Sequence, residues 1–188
     1  MSIVTLFEYP RKLIVAMPLI NIIGNIKSGK YADSVDRLRD MYHCKLDTLF
    51  NVQKRHIPVF TIAGNFNFQS ERLELVSYSR YLFFEVKYLR PDKMRDVRLL
   101  LERNPYIFSI FKNALGLGIC FIVKVDVGKG YHDCIYKKAY RYFEKNLGID
   151  RIQKDGLELT HACMMSYDPR ATINPACIPF PYYGTPKF

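Results

Sequence analysis

Of the 188 residues, 28 are Lys or Arg and 18 are Asp or Glu, which leaves a formal charge of +10 at pH 7. With 49% hydrophobic and 24% charged residues the chain has the make-up of an ordinary folded domain, which excludes wholesale disorder. The length accommodates one domain with a substantial core. The charge favours a polyanionic partner, nucleic acid or an anionic membrane surface, with solubility alone as the plain alternative.

Residues 1–8 read as a short strand and residues 13–28 as a poorly patterned helical stretch. A clearer helix begins at Asp33 or Ser34, with Val35, Leu38, Arg39 and Tyr42 marking its face. Residues 45–55 form a second helical piece with Leu46, Leu49 and Phe50 facing inward, and Pro58 ends it by forcing its predecessor into extended geometry. Residues 59–66, β-branched and aromatic, read as one strand closed by Gly64-Asn65. Residues 81–86 are nearly all apolar, which predicts a strand at the centre of a sheet and buried on both faces.

Residues 92–102 are an amphipathic helix carrying Met94, Val97, Leu100 and Leu101, with Pro91-Asp92 at its start. Residues 107–111 and 119–125 are strands joined by the turn containing Gly116 and Gly118, a hairpin pattern. The strongest helical pattern covers residues 131–147, with Ile135, Ala139, Tyr142, Phe143 and Leu147 on one face and Gly148 as the stop. Residues 163–167 make a final strand, and the segment 174–188, with Pro175, Pro179, Pro181 and Pro186, is expected to be extended. No repeat or Gly/Ser linker divides the chain, and the element mix predicts an α+β fold with a mainly antiparallel sheet flanked by helices.

Five cysteines, none paired at a two-residue spacing, give neither a redox motif nor a ribbon-type zinc site. Cys120 and Cys163 lie in apolar runs and read as small core hydrophobes. The N-terminus is not a secretory signal, and the apolar stretch 13–23, broken by Pro18 and Asn21, is too short to span a bilayer. The expected location is the reducing cytoplasm.

Several side chains carry a functional and a plain reading side by side. Lys137, Lys138, Arg141 and Lys145 form a basic helical face that either tracks a nucleic-acid backbone, with Tyr140 or Tyr142 to stack on bases, or is merely solvated. Gly116 and Gly118 either cradle phosphate through backbone N–H groups or simply turn a hairpin. Glu85 and Lys87, two apart, point the same way at a strand end and form a pair. His161 is either an acid–base or phosphate-contacting group or a polar residue at a strand start. Asp168, before Pro169, reads as the shaper of the turn after the last strand.

Four segments in fixed order carry a family resemblance. They are Ile26-Lys27-Ser28-Gly29-Lys30-Tyr31 leading to Arg37-Leu38-Arg39; residues 57–66; Asn104-Pro105-Tyr106-Ile107-Phe108 running into Gly116-Leu117-Gly118; and Ser166-Tyr167-Asp168-Pro169 followed by Asn174-Pro175. Together, over about residues 4–180, these resemble the N-terminal domain of the virulence-associated protein E family of Bacteroides-type bacteria and their mobile elements. That domain is similar to the archaeo-eukaryotic primase and primase-polymerase fold. The resemblance makes residues 1–180 one such domain and residues 181–188 an extended Pro-rich tail.

In that superfamily the resemblance implies nucleotidyl transfer by two divalent metals on strand-borne carboxylates, which clamp the attacking and leaving oxygens. The family pattern Asp-x-Asp falls on Glu85 and Lys87, so a fixed cation stands where a second ligand is needed. The base after the family's Ser-Gly-x-Gly turn becomes Cys120, and near the last strand the chain offers only Glu158 and His161 as catalytic candidates beside Glu85. The expectation is a catalytically degenerate domain without a cofactor that binds nucleic acid, DNA above all, in replication or mobilisation of a mobile element. Lys87, Gly116, Gly118, Lys137, Lys138, Arg141 and Lys145 are its candidate nucleic-acid or phosphate contacts. The alternatives are an active Mg²⁺- or Mn²⁺-dependent primase-polymerase, with Glu85 its metal ligand, or a module that docks a separate helicase-like protein. No membrane partner is expected.

Overall fold

The computed structural model describes residues 2–8, 12–69 and 72–183. Strands β1 (Ile3–Glu8) and β2 (Lys12–Pro18) form an antiparallel pair with a bulge between Leu6 and Phe7. The helix expected from residue 13 therefore starts later, because the β-branched Ile14-Val15 run completes a strand first. Pro18, at φ −57°, is pre-set to lead into helix α1 (Leu19–Ser28). Gly29 ends α1 at φ +80°, the left-handed conformation that favours glycine, and a Cβ there would press on the Tyr167 ring at 3.1 Å.

Helix α2 (Ala32–His43) buries Val35 and Leu38 as its pattern predicts. Helix α3 (Asp47–Arg55) departs from expectation: no residue of it is buried, and Leu46 and Leu49 are exposed. It rests on α2, not on a sheet, held by the Gln53 Nε2 bond to the Ser34 carbonyl at 3.0 Å and by Phe50 at the margin of the core.

The single strand expected over 59–66 is two. Strand β3 (Val59–Thr61) pairs with β1, and after a bend β4 (Gly64–Gln69) pairs with β5 (Arg72–Tyr78) in a hairpin. Thr61 Oγ1 donates to the Gly64 carbonyl at 2.8 Å and pins the bend. A Cβ on Gly64 would lie 2.2 Å from the Ser77 carbonyl oxygen, so only glycine lets the hairpin start there. Strand β9 (Ala162–Met164) completes the first sheet, whose order is β2-β1-β3-β9.

The second sheet contains β6 (Tyr81–Val86), β7 (Ile107–Lys112), β8 (Ile119–Lys124) and β10 (Thr172–Ile173), antiparallel throughout in the order β10-β7-β8-β6. The β7–β8 hairpin is as predicted. Strand β6 is buried on both faces, but it stands at the end of the sheet and not at its centre. Its outer edge is covered by chain: Gln153 N–H donates to the Glu85 carbonyl at 2.8 Å and Ile152 bridges Val86. That cover makes an edge strand as apolar as a central one.

Two cores arise from the alternation along β6. Phe83 faces the first sheet, in a cluster with Phe60, Phe111, Ile122 and Met165. Leu82, Phe84 and Val86 face helix α5 (His132–Arg141), where Phe84 stacks on Tyr136 at 4.7 Å between ring centres. The helix expected over 131–147 holds its predicted face but changes winding, since Tyr142–Asn146 is a π-helical turn, and Gly148 at φ +63° ends it. The resulting architecture is α+β with mostly antiparallel sheets. Among the described residues no helix is long and apolar enough to cross a membrane.

Helix α4 (Pro91–Glu102) begins with proline at its first position, without a side-chain cap from Asp92. It turns Leu100 outward and buries Arg98. Arg98 Nη2 donates to Asp168 Oδ2 at 2.5 Å, and Asp168 also accepts from the backbone N–H groups of Lys112 at 2.8 Å and Arg170 at 3.0 Å. The strand expected over 163–167 leaves the sheet after Met164 because these bonds hold residues 165–171 as a loop. Further on, Phe180 N–H donates to the Lys124 carbonyl, and its ring is buried against Tyr106, Tyr142 and Phe143. Of the tail expected over 181–188, residues 184–188 lie outside the described residues.

Removing one partner of a buried, hydrogen-bonded ion pair strands the other. Asp168→Ala should cost about 3–5 kcal/mol in a urea denaturation. A loss below about 1 kcal/mol, the range of an exposed pair, would contradict the assignment.

Candidate functional site

An open cleft of about 400 Å³ lies where the two sheets meet, under the β7–β8 turn and beside α3. Phe83, Glu85 and Lys87 enter it from one side because alternate residues of β6 share a face. Cys120, opposite Glu85 in the β6–β8 register, and Cys163 of β9 also line it, and His161 enters just before β9. The sequence candidates Glu85, Lys87 and His161 thus converge. Glu158 does not line the cleft; it is exposed, its carbonyl accepts from the His161 N–H at 3.0 Å and its own N–H donates to the Asp155 carbonyl at 3.3 Å.

Lys87 occupies the electrostatic centre. Its Nζ stands 3.5 Å from Glu85 Oε2 and 3.3 Å from Asp155 Oδ2, while Glu85 Oε1 accepts from Asn113 Nδ2 at 2.9 Å. Burial works against the ammonium, but Glu85 and Asp155 outweigh it and hold the Lys87 pKa above the ordinary lysine value. His161 stacks on Phe83 at 5.3 Å, and burial lowers its pKa despite nearby Asp155 and Glu85. Burial, reinforced by Cys163, pushes the Cys120 thiol up, so it is a weak nucleophile. This donor set does not fit a two-metal centre. Both oxygens of Glu85 already face donors, Asp155 faces the same lysine, and no group of three or more His, Cys, Asp or Glu among the described residues is placed to hold a metal ion.

The hairpin glycines answer to packing. Gly116 has φ +73° and faces the Arg39 side chain, and a Cβ on Gly118 would lie 2.2 Å from the Val86 carbonyl oxygen. The N–H groups of Gly116 and Leu117 donate to Asn113 O at 2.9 Å and Asn113 Oδ1 at 3.0 Å, which leaves neither pointing at a phosphate. Arg39 clamps this turn, donating to the carbonyls of Ala114 at 3.0 Å, Asn113 at 3.4 Å and Tyr167 at 2.9 Å.

The basic residues of the α5 region divide. Lys137, Arg141 and Lys145 line a second groove of about 350 Å³ with Tyr140, joined by Lys154, whose ammonium lies 5.2 Å from the centre of the Tyr140 ring. Lys138 turns away and donates to the carbonyls of Pro181 at 3.1 Å and Tyr182 at 2.8 Å. Tyr142 is buried and cannot stack on a ligand, while Tyr140 donates to Glu144 at 2.8 Å. The two grooves flank one short segment: Lys154 lines the second and Asp155 the first.

Sequence reasoning missed Asp155, Asn113, Arg39 and Lys154 as site residues. Lys154 and Asp155 sit where a single 3-10 turn gives no periodic signal, and Asn113 has the residue type of an ordinary turn start. The N-x-x-G-x-G spacing was the one available clue, since Asn at a turn start bonds its own backbone.

A protein-family model described as BT4734-like, N-terminal domain, matches residues 52–172, more than half of the chain. No curated protein matches. No solved structure matches.

Two histidines, His132 buried and His161 half-buried, shape the pH response. His132 faces the Gly156 carbonyl through Nε2 at 3.3 Å and Tyr78 OH through Nδ1 at 2.9 Å, which assigns the proton to Nε2 and makes the tyrosine the donor to Nδ1. Burial lowers the pKa of both His132 and His161 below the ordinary 6.5. As pH falls through 6.5 the unfolded chain takes up protons that the folded chain refuses, so stability drops below that pH and is complete above it. Urea midpoints should therefore fall between pH 7.5 and 5.5, with a shallower fall in His132→Gln and in His161→Gln. A flat wild-type profile would refute this.

Proposed function

The chain belongs to the BT4734-like N-terminal domain family, and from that premise we propose that it is a primase-polymerase-like domain of the virulence-associated protein E type with a degenerate catalytic centre. Its task is to bind nucleic acid, DNA above all, in replication or mobilisation of a bacterial mobile element, within the reducing cytoplasm. The observation that carries this reading is the Lys87 ammonium lying between Glu85 and Asp155, where two carboxylates would otherwise face a metal. A lysine supplies one fixed charge and no open coordination position, so it can organise the carboxylates without activating an oxygen. The active alternative, with Glu85 and Glu158 as its acids, is disfavoured because Glu158 lies outside the cleft.

Binding is supported by the groove of Lys137, Arg141, Lys145 and Lys154, which adds a local cluster to a charge spread along the whole chain. A second reading, a module that docks a helicase-like protein, is supported by the exposed apolar stripe Leu46, Leu49 and Val52.

A salt titration of oligonucleotide binding, followed by fluorescence anisotropy, tests the reading. Affinity should fall steeply with salt, and Lys137→Glu, Arg141→Glu and Lys145→Glu should each flatten the log–log slope by about 0.7 or more. No binding at low salt would leave only the docking reading. Calorimetry with Mn²⁺ and a nucleoside triphosphate should give no metal-dependent heat, and tight binding lost in Glu85→Ala would establish the active alternative instead.

A further inference from the structure

We propose that the outer ridge of α5, continued by Tyr131, Tyr182 and Tyr183, is a stacking platform for a single strand of nucleic acid and not for a duplex. The inference rests on the nucleic-acid reading and gives it a ligand form and a location. Residues three or four apart share a helix face, so the exposed Tyr131, Cys134, Lys137 and Arg141 follow one another along the outer side of α5, and the exposed Lys145 continues them on the π-helical turn. At the N-terminal end of that ridge three aromatic rings gather. Tyr131 and Tyr182 are 5.2 Å apart between ring centres, and Tyr182 and Tyr183 are 4.8 Å apart.

Two of these rings are presented to solvent: Tyr131 is 51% exposed and Tyr183 83%. Lys138 fixes the platform in place, because its bonds to the carbonyls of Pro181 and Tyr182 tie the C-terminal segment to α5. This gives Lys138 a positioning role beside Lys137, Arg141 and Lys145, whose exposed side chains are left to meet the phosphates. The acids of the same helical stretch do not cancel the ridge. Asp133 and Glu144 are two negative charges against the four positive ones of Lys137, Lys138, Arg141 and Lys145.

The choice of single strand follows from which faces a base offers. In a duplex the ring faces are hidden in the stack, and exposed tyrosines have nothing to lie against. Unpaired bases expose those faces, and stacking on an aromatic side chain is tolerant of sequence. A line of cations ending in exposed aromatic rings is the arrangement that tracks a single-stranded backbone while holding its bases.

Cys134 makes the placement testable. It is an exposed thiol on the ridge, Cys44 is an exposed thiol at the end of α2, and Cys120, Cys163 and Cys177 are buried. Alkylation by iodoacetamide, read by mass spectrometry, should slow several-fold at Cys134 when an oligothymidine is bound and stay unchanged at Cys44. In parallel, Tyr183→Ala should weaken oligothymidine binding roughly tenfold, and Tyr183→Phe should restore it, since stacking needs the ring and not the hydroxyl. A duplex of matched length should bind more weakly and ignore Tyr183→Ala. Oligothymidine binding that leaves Cys134 unprotected, or equal affinity for duplex, overturns the platform and leaves the nucleic-acid reading standing. Failure of both polymers to bind at low salt overturns both.

Discussion

Arg98 and Asp168 are buried together, 4% and 1% exposed, and the geometry of the cleft depends on them. A buried ion pair adds little net stability, because desolvation offsets its attraction. Its importance here is positional. The chain leaving β9 must pass between α4 and the second sheet without a ladder of its own, and its polar groups need partners there. Asp168 takes the Lys112 and Arg170 N–H groups, and Arg98 takes the Arg170 carbonyl at 2.8 Å. One residue earlier Arg39 takes the Tyr167 carbonyl and the two carbonyls of the β7–β8 turn. Two arginines from two helices thereby fix Asn113, and Asn113 fixes Glu85.

The cleft so formed has the shape of a ligand site but a self-neutralising interior. Lys87 stands between two carboxylates, burial disfavours the charged form of His161, and it pushes the Cys120 thiol up. Glu85, Lys87 and Asp155 are engaged with one another, and burial works against the charged forms of His161 and Cys120. The unbalanced charge lies instead in the neighbouring groove, across the segment that carries Lys154 and Asp155. The carboxylates of the cleft and the cations of the groove are separated by a single turn of chain.

Much of this was legible in the residues. Helical periodicity located α2, α4 and α5, and the glycine pair located the β7–β8 hairpin, although α4 keeps only Leu101 of its apolar face fully buried and turns Leu100 outward. Where local pattern and tertiary burial disagree the pattern misled. Leu46 and Leu49 are apolar at helical spacing yet exposed, because α3 leans on another helix. Strand β6 reads as central because a covered edge and an inner position bury the same side chains. The bend at Thr61–Gly64 depends on a carbonyl of β5, distant in sequence, and β5 itself hid behind the charges of Arg72 and Glu74. In the site, Glu85, Lys87 and His161 could be named because they sit on strands or beside them. Asp155 could not, since only the fold brings its single 3-10 turn against β6.

The order of strands in the first sheet bears on how the molecule comes to exist. Strand β3 lies between β1 and β9, so its two neighbours are drawn from opposite ends of the chain. During synthesis the N-terminal hairpin and β3 can meet early, but the far side of β3 stays unpaired until residues 162–164 leave the ribosome. Throughout that interval Phe60 and Ile62 lack the cover that Cys163 and Met165 later give them. Topologies of this kind close late and expose sticky edges while they wait. The same strand that finishes the sheet also supplies a wall of the cleft, so the lining of the site is incomplete until β9 has docked.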